Sequence, residues 1–131
     1  MSNEPKGFKR FLVQAKQVAA SPKGMQRVVK LSTQKLLRRG SEGLAAAREQ
    51  VSLLIELLSA YVKGDYKEVA ATTVISVVAA LLYFIAPLDA LPDFLFGWGL
   101  LDDAAVISYV STQLAKELEA FKRWRDNNPV P

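Results

Sequence analysis

The chain has 131 residues, half of them hydrophobic and 23% charged, which is enough for one folded domain and excludes a disordered chain. It has no cysteine and no histidine, so disulfides, thiolate metal sites, cysteine nucleophiles and histidine acid–base chemistry are all absent. The net charge of +4 is unevenly placed: residues 1–68 hold 13 basic and 6 acidic groups, residues 69–131 hold 4 basic and 7 acidic. A basic first half before an apolar second half points to an anionic surface, either phospholipid or nucleic acid.

Met1 to Pro5 is polar, and the run that follows alternates basic and apolar residues, so no secretory signal is expected. Residues 7 to about 20 read as an amphipathic helix, with Phe8, Phe11, Leu12, Ala15, Val18 and Ala19 at helical spacing. Ser21-Pro22 is a stop-and-restart signal, serine as cap and proline at the first helical position. A second helix is predicted from Pro22 to Arg39. Val28, Val29, Leu31, Leu36 and Leu37 give it apolar surface, and Lys23, Arg27, Lys30, Lys35, Arg38 and Arg39 a basic face. Gly40 terminates it.

A third helix is predicted from about Ser41 to Lys63, with an apolar stripe of Leu44, Ala47, Val51, Leu54, Ile55, Leu58, Tyr61 and Val62, ended by Gly64. Asp65-Tyr66-Lys67-Glu68 matches an acidic capping box. After it, Val69 to Leu88 is 20 consecutive uncharged residues, the length that crosses a hydrocarbon core of ~30 Å. Thr72, Thr73, Ser76 and Tyr83 dilute this run, and Pro87 ends or kinks it. Gly97-Trp98-Gly99 permits a sharp turn, and Asp102-Asp103 opens a last helix that becomes polar from Lys116. Residues 127–131 are expected to fray. There is no strand pattern. The reading is all-α: a small bundle with an apolar helical hairpin over residues 66–120, preceded by amphipathic helices. It divides into a basic region (1–63), the hairpin domain (64–126) and a tail (127–131).

Between Val69 and Ala115 the charged residues are Asp89, Asp93, Asp102 and Asp103. An isolated buried carboxylate is very costly, so each needs a cap position, a basic partner, a cation, a proton or the water interface. Asp89 and Asp102 suit helix N-caps, where loss of the cap costs about 0.5–2 kcal/mol. Asp93 follows Asp89 by one helical turn and would repel it, which a cation or an arginine relieves. Caps with an ion pair are the favoured account. A divalent-cation site, with Asp93 and Asp103 as its first candidates, is the sharper alternative, since Mg²⁺ and Ca²⁺ accept all-oxygen ligands.

The run Leu82-Tyr83-Phe84-Ile85-Ala86-Pro87-Leu88-Asp89-Ala90-Leu91-Pro92-Asp93-Phe94, with Gly99-Leu100-Leu101-Asp102-Asp103, resembles the YkvA-like family, bacterial membrane-associated domains of unknown function. The signature positions carried over are Tyr83, Pro87, Asp89, Pro92, Asp93, Asp102 and Asp103, within a match over residues 64–110. Ala86 and Ala90 depart from the usual serine and bulky aliphatic. The resemblance implies a membrane-associated helical hairpin and supplies no reaction.

The expected function is therefore a non-enzymatic scaffold or interaction module at the cytoplasmic face of a bacterial inner membrane, with its N-terminus cytoplasmic by the positive-inside rule. The basic helix would lie on anionic headgroups. A protein partner or a homo-oligomer is possible in this scheme, and no cofactor is required. An ion-binding or metal-dependent activity at the aspartates is the first alternative. A soluble bundle centred on Val69–Leu88 with a partner-binding role is the second. Nucleic-acid binding is not expected: residues 6–39 hold ten basic residues but nothing like a base-reading motif.

Overall fold

A computed structural model describes residues 8–37, 48–85 and 103–127. These form six helices: α1 (Phe8–Ala19), α2 (Pro22–Leu36), α3 (Arg48–Lys63), α4 (Ala71–Ile85), α5 (Asp103–Gln113) and α6 (Ala115–Asn127). Among the described residues there is no strand, and the all-α architecture is confirmed.

Local chemistry sets the early boundaries. Ser21 takes an extended conformation, its hydroxyl accepts from the Gly24 amide at 3.1 Å, and Pro22 fills the first helical turn. Gly24 permits the close approach of α1: a Cβ there would lie 3.2 Å from the Val18 carbonyl oxygen. At the other end of α3, Gly64 adopts φ +82°, the Gly64 amide donates to the Tyr61 carbonyl at 3.1 Å and the Asp65 amide to the Ala60 carbonyl at 2.9 Å. That pair of bonds is a Schellman ending, and it turns the chain out of the helix.

The Schellman ending also overturns the capping-box expectation. The Asp65 and Tyr66 amides both donate to the Ala60 carbonyl, so they close α3 rather than open α4. Residues 65–70 are a non-helical connector, and α4 starts at Ala71. The Tyr66 ring fixes the connector, packing edge-on to Phe121 at 5.1 Å and tilted against Trp124 at 5.0 Å.

α4 is the central element. Val74, Val77, Val78, Ala79, Ala80, Leu81, Tyr83 and Phe84 are all buried. Apolar residues around the whole circumference require cover on every side. α1, α2, α3 and α5 all pack on it, α1 most extensively. Ala15 of α1, Val28 of α2, Leu54 and Leu58 of α3, Ile107 and Val110 of α5 and Phe121 of α6 complete one continuous core. The basic N-terminal helices and the hairpin residues thus share a single hydrophobic interior.

The expectation of a membrane-crossing helix over Val69–Leu88 finds no support among the described residues. The described part of α4 has 15 residues, about 22 Å at a rise of ~1.5 Å per residue. Among the described residues no helix is long and apolar enough to cross a membrane. Within the run, Thr73, Val74, Val77 to Leu81, Tyr83 and Phe84 are buried against neighbouring helices. The last predicted helix is also divided, into α5 and α6 at Leu114, with no proline or glycine at the break. Backbone bonds of helical spacing run through the break, the Leu114 amide donating to the Val110 carbonyl and the Leu118 amide to the Leu114 carbonyl, and Leu114, Leu118 and Phe121 are all buried.

Candidate functional site

Of the acidic signature, Asp89, Asp93 and Asp102 lie outside the described residues, as do Pro87 and Pro92. Asp103 is the first residue of α5, and Tyr83 is buried in the last turns of α4. Among the described residues no three acidic side chains converge in a way that would hold a metal ion.

What the structure does bring together is cationic surface. Residues 8–37 contain Lys9, Arg10, Lys16, Lys23, Arg27, Lys30 and Lys35 and no acidic residue. In α2, Met25, Val28, Ser32 and Leu36 turn inward, while Lys23, Arg27, Lys30 and Gln34 are exposed on the opposite side. Their spacing of four, three and four residues is one stripe of a helix. Lys23, Gln26, Arg27, Lys30, Leu31 and Gln34 line a depression of about 520 Å³ along that stripe. α1 repeats the arrangement, with Ala15 inward and Lys9 and Lys16 exposed. Both helices pack on α4 and on each other.

Lys35 departs from the face on which the sequence placed it. Its Nζ donates to the Phe84 carbonyl and lies 4.8 Å from the centroid of the Phe84 ring. It neutralises the negative end of the α4 dipole from within the bundle, rather than facing outward. Arg38 and Arg39 lie outside the described residues.

The opposite side of the molecule has mixed charge. A groove of about 410 Å³ runs between α3, α5 and α6, lined by Glu49, Leu53, Glu56, Ser111, Leu118, Glu119, Lys122 and Arg125 among others. Arg125 Nη1 donates to Glu56 Oε2 at 3.0 Å across it. Both side chains are substantially exposed, so the pair orders the groove more than it stabilises the fold. Sixty-nine residues separate the two, and no sequence signal could have joined them. The sequence reading assigns Leu31 and Leu37 to the apolar surface of the second helix and does not single out Val13; all three are exposed.

The model of the family "Protein of unknown function (DUF1232)" matches residues 73–109, which run from α4 through the acidic signature into α5. The uncharacterized membrane protein YkvA of Bacillus subtilis (strain 168) is 35% identical over 77 residues, 59% of this chain and 73% of the relative. The chain belongs to this YkvA-like family. No solved structure matches it. The family match begins inside α4, so α1, α2 and α3, including the cationic stripes, lie outside it. Lys35 links the two parts, reaching from α2 to the end of the helix on which the family match begins.

Proposed function

We propose that this protein is a non-enzymatic, membrane-associated interaction module. It rests on the anionic cytoplasmic face of a bacterial inner membrane through α1 and α2, and offers the α3–α5–α6 side to a protein partner. The observation that carries this reading is the charge segregation: a two-helix layer with seven cations and no anion, its exposed basic residues aligned outward. The membrane description of the Bacillus relative supports the same setting. Each basic group near an anionic leaflet adds about 1 kcal/mol, so the exposed Lys9, Lys16, Lys23, Arg27 and Lys30 suffice for reversible docking without a membrane-crossing helix.

Vesicle flotation tests it. The protein is expected to float with vesicles containing phosphatidylglycerol, to stay behind with purely zwitterionic ones, and to dissociate as salt is raised. Combined Lys23→Gln, Arg27→Gln and Lys30→Gln is expected to abolish flotation at physiological salt. Indifference to anionic lipid would overturn the reading.

A further inference from the structure

The cationic layer carries a second feature that charge alone does not explain. Among the described residues, the large apolar side chains left exposed are Val13 (64%) on α1, Leu31 (38%) on α2 and Leu37 (75%) at the C-cap of α2. Their positions are not random. Val13 is flanked on the outward side of α1 by Lys9 and Lys16, one turn before and one turn after it. Leu37 follows Gln34 by three residues and so extends the stripe that Lys23, Arg27 and Lys30 begin. Leu31 borders the same depression as those three cations.

We infer that Val13, Leu31 and Leu37 insert below the headgroup layer of an anionic bilayer, so that α1 and α2 dock in the plane of the interface. This rests on the membrane-docking reading above and adds to it a depth and a set of inserting residues. Helices that lie in an interface combine these two elements: apolar side chains enter the acyl boundary while neighbouring lysines and arginines extend to the phosphates. The alternatives fit the surface less well. Aliphatic side chains gain little against a nucleic-acid backbone, which rewards cations and aromatic stacking. A second copy presenting the same face would bring two layers of like charge together.

The chain has no cysteine, so single labels are easily placed. Leu37→Cys and, as a reference on exposed α6, Glu117→Cys would each carry an environment-sensitive fluorophore. Both would be read on vesicles of equal phosphatidylglycerol and phosphatidylcholine, with and without lipids bearing a shallow quencher. The label at 37 is expected to shift to the blue and to be quenched, and the label at 117 to do neither. In the unlabelled protein, Val13→Asn and Leu37→Asn are each expected to weaken vesicle affinity on the order of tenfold while leaving the salt dependence and the melting temperature unchanged. Vesicle binding with the label at 37 still in water would overturn the insertion and leave electrostatic docking intact. Absence of binding to any anionic vesicle would overturn both. Binding to duplex DNA or to an acidic protein in preference to vesicles, with position 37 unshifted, would also overturn it.

Discussion

Lys35 donates from its Nζ to the backbone carbonyl of Phe84 and lies over the ring of the same residue, at 4.8 Å from its centroid. One side chain of α2 thus donates to a carbonyl in the last described turn of α4 and adds a cation–π contact to a fully buried ring. The contact joins the basic N-terminal part of the chain to the family's own segment at the point where the acidic signature begins. Lys35→Met, which keeps the aliphatic stem, is expected to lower stability by about 1–2 kcal/mol in chemical denaturation. An unchanged midpoint would show that the contact is energetically neutral.

Gly64 tests the turn between α3 and α4. Its φ of +82° is a conformation that residues with a Cβ adopt at a cost, yet a Cβ there would meet only Lys67 Cε, at 3.4 Å. The expected penalty is therefore conformational rather than steric. Gly64→Ala should destabilise by about 1–2 kcal/mol, and Gly64→Asn by clearly less, since asparagine tolerates the left-handed region. Equal losses for the two variants would point to a steric cause instead.

Ser32 is fully buried in α2, and its hydroxyl has no hydrogen-bond partner among the described residues. The same helix shows how such a group is ordinarily satisfied: Thr33 Oγ1 donates back to the Val29 carbonyl at 2.8 Å. Ser32→Ala should raise stability by about 1 kcal/mol, by removing a desolvated polar atom and improving helix propensity. A fall in the thermal midpoint would mean that the hydroxyl has a partner after all.

Tyr66 anchors the connector through its contacts with Phe121 and Trp124, which are themselves stacked at 5.8 Å. Tyr66→Ala should cost about 2 kcal/mol and Tyr66→Phe much less. Burial, and then the charge of Glu68, push the Tyr66 hydroxyl above its ordinary range of ionisation. A group whose folded-state value is raised contributes stability that is complete below the unfolded value and is lost as pH rises through the folded one. The wild-type protein should therefore lose stability above about pH 10 more steeply than Tyr66→Phe, as pH-dependent melting would show.

The amino-acid sequence by itself determined the helical class, the division at Ser21-Pro22, the stop at Gly64 and the basic character of the first two helices. These depend on local chemistry: a hydroxyl within reach of its own helix, a ring that fixes φ, a missing Cβ, a run of one charge. The YkvA-like signature was legible for a similar reason, because its prolines and aspartates stand at fixed offsets. The tertiary structure alone decided what the apolar run is for. Twenty uncharged residues read equally well as a membrane span or as a core helix, and the packing of α1, α2, α3 and α5 on α4 shows that residues 73–84 of that run supply much of the core. Packing likewise sent Lys35 inward to Phe84 while Lys23, Arg27 and Lys30 stayed outside, and left Leu37 in solvent while Leu36 beside it was buried. Periodicity places residues around a helix, but which side meets a neighbour is fixed only when the other helices are in place.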